Sequence, residues 1–306
     1  MTIKNNLLFA LVTILFSVFF ASCDKLEGPY IIENKPIDTS ACPIPEFPVV
    51  TKHIKRAFLE DYTGRKCVNC PTAGYSAHQM KEHYQDSMVL ISVHAGYFAI
   101  VKDSELGSIW GYDFRTPAGT AWDDFFKVGA LGNPNGMVNR KGYPANQQVL
   151  APGAWANAVK ATIAETPLMD LQIIPEYNAA EDKLCIHTKT TYRQSITGRA
   201  LNLSVIRVEY SIIQAQKNNN ATIGSTPDIV DYVHMHVMRG AVNDTWGTNI
   251  LAATETSPAS LIKTFQTKLT GFNLNTMAPE NCHVVAFVFD ADTKEVLQVA
   301  ESSLTE

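Results

Sequence analysis

The chain has 306 residues, 46% of them hydrophobic, enough apolar material for one large or two ordinary domains, each with its own core. Lys and Arg number 25 against 30 Asp and Glu, a net charge of -5. No dense basic cluster interrupts that balance, so nucleic acid is excluded as a partner.

Lys4 precedes an apolar run from Leu7 to Phe20, followed by the small residues Ala21 and Ser22, a pattern that reads as a signal peptide over residues 1–22. The run falls short of the ~20 residues of a spanning helix, which makes a retained transmembrane anchor the weaker alternative. Phe20-Ala21-Ser22-Cys23 resembles a bacterial lipobox, with Phe20 in place of the usual Leu. Ordinary secretion by cleavage near Ala21 is the alternative, but no Ala-x-Ala precedes a cleavage site. Cys23 is therefore the expected lipidation site and mature N-terminus, held in the membrane by acyl chains that contribute about 0.8 kcal/mol per buried methylene. Residues 23–50 carry Pro29, Pro36, Pro43, Pro45 and Pro48 with little apolar periodicity, so a lipidated, extended tether is expected there.

Ala57 to Tyr62 then reads as a strand ending at Gly64, Pro71 to Tyr84 as a helix, and Met88 to Val93 as a buried strand. Strand, helix and strand at this spacing form a βαβ unit with parallel pairing. Trp110, Trp122, Phe125 and Phe126 mark a partly helical cover between Ser104 and Leu131. After Gly132-Asn133-Pro134-Asn135, a short strand runs from Gly136 to Arg140, and a helix from Gly153 to Glu165 closes an α/β domain over residues 51–166. Beyond Pro167 come seven alternating runs: Leu168–Pro175, Leu184–Tyr192, Ala200–Ile213, Ile229–Met238, Ile262–Thr270, Cys282–Phe289 and Glu295–Ala300. With polar turns and no amphipathic helix among them, they predict an all-β, immunoglobulin-like sandwich over residues 167–306.

Cys67 and Cys70 lie where the first strand hands over to the helix. A thiol attacks as thiolate, and the unpaired N–H groups and positive dipole end of a helix N-terminus favour that form at Cys67, with Arg65 and Lys66 beside it. Cys70, one turn on, is near enough to close a small disulfide ring. With Cys23 lipidated and Cys67 joined to Cys70, Cys42, Cys185 and Cys282 leave one thiol unpaired; Cys185 with Cys282 is one open pairing.

These residues resemble the thioredoxins. Asp61, six positions before Cys67 on the incoming strand, matches the buried acid that assists proton transfer from the second cysteine in that family, and Pro134 matches the cis-proline that faces the cysteine pair. Departures are the Val68-Asn69 dipeptide, Lys66 in place of Trp, and a longer stretch before Pro134. A narrower resemblance spans nearly the whole mature chain: Leu59-Glu60-Asp61-Tyr62-Thr63-Gly64-Arg65-Lys66-Cys67-Val68-Asn69-Cys70-Pro71, Gly136-Met137-Val138-Asn139-Arg140 and Tyr232-Val233-His234-Met235-His236-Val237-Met238-Arg239 are similar to the outer-membrane-protein-twenty-eight-related lipoproteins. That resemblance implies an α/β thioredoxin-like domain followed by the β-sandwich domain, on an outer-membrane, lipid-anchored protein whose ectodomain faces the periplasm or the exterior.

The expected activity is thiol-disulfide exchange with the thiols or disulfides of envelope proteins, without cofactor or metal. Cys67 attacks, Cys70 resolves, Asp61 handles the Cys70 proton, and Asn133 with Pro134 holds the substrate backbone. The membrane is engaged only through the N-terminal lipid, and the sequence sets no oligomeric state. Two rivals compete for the cysteine pair. Zinc would need His78 or His83, but His78 lies ~12 Å of helical rise away. A static disulfide would need no poised thiolate. The runner-up for the whole chain is a surface binding or adhesion module with the thioredoxin fold as scaffold. His234 and His236 read as a polar outer strand face, Lys52, Lys55 and Arg56 as a solvated strand edge, and Asp290 with Asp292 as a hairpin turn.

Overall fold

The computed structural model describes residues 41–269 and 277–305. The leader at 1–22, the lipobox cysteine Cys23 and most of the tether at 23–50 lie outside the described residues, as does the expected strand end at Thr270. Among the described residues, no helix is long and apolar enough to cross a membrane.

Strand β1 (Ala57–Thr63), helix α1 (Cys70–Tyr84) and strand β2 (Met88–His94) form the expected βαβ unit, with β1 and β2 parallel and in register from Ala57 opposite Met88 to Thr63 opposite His94. Helix α2 (Pro117–Phe126) supplies the helical cover; Thr116 Oγ1 caps it by accepting from Gly119 N, and Pro117 occupies the first turn, where its missing donor costs nothing. Strand β3 (Asn135–Val138) lies antiparallel on the other side of β1, with Tyr62 opposite Asn135, and α3 (Pro152–Ile163) closes this half.

The second half contains β4 (Met169–Asn178), β5 (Lys183–Tyr192), β6 (Leu201–Glu209), β7 (Ile212–Ile213), β8 (Gln216–Lys217), β9 (Asp228–Ile229), β10 (Val233–His234), β11 (Val237–Ala241), β12 (Thr248–Leu251), β13 (Ser260–Thr267), β14 (Cys282–Asp290) and β15 (Val296–Ser303). The main sheet runs β15-β14-β6-β11-β2-β1-β3, with β12 also on β6, while β13-β5-β4 form a separate three-stranded sheet. The fold is thus mostly β, with a mixed main sheet and a few helices.

One sheet therefore crosses the division expected between residues 166 and 167. Strand β11 lies parallel to β2, and Ser92 N donates to His236 O at 2.7 Å. The outer edge of β2 would otherwise bury unpaired N–H and C=O groups, so a strand from the second half completes it. All described residues belong to one compact unit.

Both faces of the main sheet are covered, and alternate residues sort to the two sides. Phe58, Tyr62, Val285, Phe287 and Phe289 pack with Trp122 and Phe126 of α2 on one side. On the other, Leu59 and Leu90 meet Ala73, Ala77, Trp155 and Val159 of α1 and α3. Farther along that second side, Val284, Ala286 and Val288 meet Leu171, Leu184 and Ile186 of the three-stranded sheet.

Several expectations are corrected. The tether's end is docked: Cys42 forms a disulfide with Cys185 of β5, Phe47 is buried, and Cys185 is therefore not paired with Cys282. The expected strand Ile229–Met238 is broken into β9, β10 and β11, because His236 adopts a left-handed φ of 58° that a continuous strand cannot hold. Lys55 is buried, its ammonium donating to the carbonyls of Val296 and Leu297, and burial pulls its pKa down to about 8. His234 and His236 are buried as well. Asp290 does make the turn, its Oδ1 accepting from the backbone N–H groups of Asp292 and Thr293.

Candidate functional site

Gly64 ends β1 where the chain must pass against the backbone of Phe98: a Cβ there would sit 2.5 Å from Phe98 C. The next residues turn back toward α1. Cys67 N donates to Gly64 O at 3.0 Å, Cys70 N to Cys67 O at 3.3 Å, and the helix starts at Cys70 with Pro71 behind it. Cys67 and Cys70 are joined by a disulfide with their Cα atoms 5.4 Å apart. Cys67 thus lies in the turn before the helix rather than within its first turn. Arg65 and Lys66 are engaged elsewhere: the Arg65 guanidinium donates to the carbonyls of Ile109 and Trp110, and Lys66 pairs with Glu105 at 2.9 Å.

Asp61 and Cys70 line one cavity of about 280 Å³, together with Ser92, His94, Tyr232 and His234. Asp61 is 3% exposed, its Oδ1 has no hydrogen-bond partner among the described residues, and burial pushes its pKa up to about 7. The Tyr232 hydroxyl, from the second half, comes to the same glycine of α1 as Asp61: a Cβ built on Gly74 would lie 3.8 Å from it and 4.0 Å from Asp61 Oδ2. Burial holds His94 well below the usual imidazole range and His234 at about 3, so both rings are neutral at physiological pH. His78 and His236 also line the cavity: His78 Nδ1 stands 3.2 Å from His236 Nε2, and His236 Nδ1 stands 2.8 Å from the Tyr210 hydroxyl. Among the described residues, no three His, Cys, Asp or Glu side chains are arranged to hold a metal ion.

Asn133 and Pro134 do not line this cavity. Their peptide is cis, and they enter β3 at the end of the sheet from which β1 leads to Cys67, since Asn135 pairs with Tyr62. Cys23 lies outside the described residues. Sequence reasoning missed a second ring of residues. Gln216, Asn219 and Asn220 reach the cysteine turn from the arm between β6 and β11, and their only trace in the sequence is the polar Asn218-Asn219-Asn220 run. Tyr232 and His234 were legible as part of a motif without any sign of where it sits.

The family described as outer membrane protein Omp28 matches residues 121–306. The chain belongs to this family. That match begins after the cysteine pair and takes in β3, α3 and the whole second half, so Omp28 membership carries these and the outer-membrane character of the family, not the chemistry at Cys67. Among solved structures, HBP35 of Porphyromonas gingivalis is similar at 18% identity and a TM-score of 0.59, over 83% of this chain and 77% of that one, a likeness of fold alone. A structural-genomics target from Agrobacterium tumefaciens aligns at 12% identity and a TM-score of 0.47, over 83% of this chain and 97% of that one. A domain of the outer membrane lipoprotein Omp28 from Porphyromonas gingivalis aligns at 20% identity and a TM-score of 0.30, over 45% of this chain and 88% of that one. No curated protein matches the chain.

Proposed function

We propose that this Omp28-family protein exchanges disulfides with other envelope proteins through Cys67 and Cys70, on a thioredoxin-like first half. The observation that carries the reading is that Asp61 and Cys70 line one cavity: a cysteine pair at a helix start, with a buried carboxyl facing the same space as the second cysteine. The parallel β1 and β2, the antiparallel β3 and the cis Asn133–Pro134 peptide before it support the thioredoxin-like assignment. The three-stranded sheet packed on β6 and β14 supports the immunoglobulin-like reading of the second half.

In the reduced protein, the Cys67 thiolate attacks one sulfur of a substrate disulfide, forming a mixed disulfide and releasing one substrate thiolate. Cys70 then gives its proton to the Asp61 carboxylate and attacks Cys67 Sγ. The second substrate thiolate leaves, the substrate has gained two electrons, and the pair is a disulfide again. A carboxyl with a pKa near 7 is suited to both taking and returning that proton. Asn133 and Pro134 are assigned to hold the substrate backbone. Cys23 carries the lipid, so the described residues form an ectodomain tied to the outer membrane.

A second reading is favoured by one specific observation: Cys67 and Cys70 are 2% and 3% exposed, as a static staple would be in a surface binding module. The reduction potential of the pair, measured on the chain from Asp24 onward, separates the two. A value above about -300 mV supports exchange, and a value well below it leaves a structural disulfide.

A further inference from the structure

Strands β6 and β11 pair with each other from Glu209 opposite Val237, yet the chain between them makes a long excursion. It leaves as β7 and β8 and returns as β9 and β10, with β7 paired to β10 and β8 to β9, so that Ser211 to Met235 form a two-stranded arm. Its far part lies directly on the cysteine turn. Lys217 N donates to Arg65 O at 2.8 Å and Asn219 N to Val68 O at 3.2 Å. The Gln216 side-chain amide donates to Gly64 O at 3.3 Å and to Cys67 O at 3.0 Å. Asn219 Nδ2 donates to Asn69 Oδ1 at 2.6 Å, and Asn220 Nδ2 to Thr72 Oγ1 at 3.1 Å. Four carbonyls of the cysteine turn are therefore met by donors of the arm.

We propose that the arm segment Gln216–Asn220 is a gate that occupies the groove where an extended segment of a polypeptide partner docks, and that it lifts before Cys67 and Cys70 exchange. The proposal rests on the redox reading above. A sulfur that is to be attacked in line must be reachable, and the segment covers a turn whose two cysteines are buried. The segment is also held by contacts suited to release. Its grip on the turn is made of hydrogen bonds between polar groups: Gln216 and Asn218 are buried, Lys217 and Asn220 half-buried and Asn219 exposed, and none of the five has an apolar side chain, so opening breaks hydrogen bonds and exposes little apolar surface. Alternate backbone N–H groups, those of Lys217 in β8 and of Asn219 just beyond it, meet the turn's carbonyls, and that pattern specifies the replacement. When the segment lifts, water can take the Arg65 and Val68 carbonyls, but an extended polypeptide can replace both N–H donors of Lys217 and Asn219 with its own, which a small thiol cannot. The architecture places the switch in the second half of the chain and the chemistry in the first.

The test uses the oxidised chain from Asp24 onward and three variants, Asn219→Ala, Asn220→Ala and Gln216→Ala. Two rates are read for each: reduction of the Cys67–Cys70 disulfide by dithiothreitol, and hydrogen exchange at the Lys217 and Asn219 amides. Each deleted hydrogen bond is expected to raise both rates together, by about three- to tenfold. Exchange that accelerates without faster reduction overturns the gate, since the sulfurs are then reachable with the arm down. Faster reduction without faster exchange overturns it too. Silence of all three variants in both readouts has the same meaning, because contacts that can be deleted without effect do not hold a gate. The equilibrium potential, measured on the same samples, judges the redox reading separately: a static staple shows a low potential whether or not the arm controls access.

Discussion

Arg140 and Glu60 form an ion pair buried on every side, with Arg140 Nε and Nη2 each 2.8 Å from a Glu60 carboxylate oxygen and the two side chains 1% and 0% exposed. The guanidinium lies 4.7 Å from the ring centre of Trp122, 5.1 Å from Phe126 and 5.0 Å from Phe287. Strand β1, the turn two residues past the end of β3, helix α2 and strand β14 thus meet around one charge, and the pair sits where the two halves of the chain share their core. Arg suits this place better than Lys because its planar fork satisfies the carboxylate bidentately while its faces stack on the rings.

Removing one partner leaves the other charged and buried. Glu60→Gln is expected to destabilise the fold by about 3–5 kcal/mol, read as a lower urea midpoint. The double replacement Glu60→Leu with Arg140→Met is expected to recover most of that loss. A Glu60→Gln midpoint equal to the parent's would refute the burial assigned to the pair.

The Cys42–Cys185 disulfide closes a loop with a sequence separation of 143. Such a long closure removes much freedom from the unfolded chain, so Cys42→Ser is expected to cost about 2–4 kcal/mol. Limited proteolysis gives a second reading: residues 41–50 are expected to be cut early in the variant and protected in the parent, and identical digestion patterns would contradict their docking.

Asp61 links stability to pH. Its folded pKa, about 7, is raised from an ordinary value of 3.8 by burial, so between these values the native state holds a proton that the unfolded state has lost. The Asp61 contribution to stability therefore falls as pH rises from about 4 to 7, and above 7 the full penalty of a buried carboxylate remains. Asp61→Asn is expected to raise the urea midpoint at pH 8 and to change it little at pH 4. An equal effect at both pH values would show that the Asp61 carboxyl is not shifted by burial.

Cys282 is the free cysteine among the described residues; it is buried, its Sγ lies 3.1 Å from Ala278 O, and burial pushes its pKa up to about 12. A thiol so far from ionisation does not react in the native state. Titration with a thiol reagent is expected to find almost no reactive sulfur in the folded, oxidised chain from Asp24 onward, and one per chain in guanidinium. Rapid labelling without denaturant would show Cys282 to be reachable.

Elements with a local signature were legible in the sequence. The apolar run of β1, Pro71 at the helix start and the buried run of β2 define a βαβ unit by period and punctuation alone, and Cys67, Cys70 and Asp61 follow from their positions within it. The Asp290 turn was equally legible, because an Asp side chain that accepts from the N–H groups two and three residues on needs no distant partner.

Whatever depends on a distant partner was decided by the tertiary structure. His236, Lys55 and Cys42 each have a polar or short side chain that reads locally as surface or linker. They are buried because β11 completes the edge of β2, because β15 offers carbonyls to the Lys55 ammonium, and because β5 brings Cys185 to Cys42. The arm is the clearest case: Gln216 meets the Cys67 carbonyl across 149 residues, a separation at which periodicity carries no information about pairing. The sequence by itself determined that a cysteine pair stands at a helix start behind an acid. Only the folded chain decided that an arm from its other half hydrogen-bonds the turn that carries that pair, since hydrogen-bonding edges are satisfied by whichever segment the packing of the whole molecule brings to them.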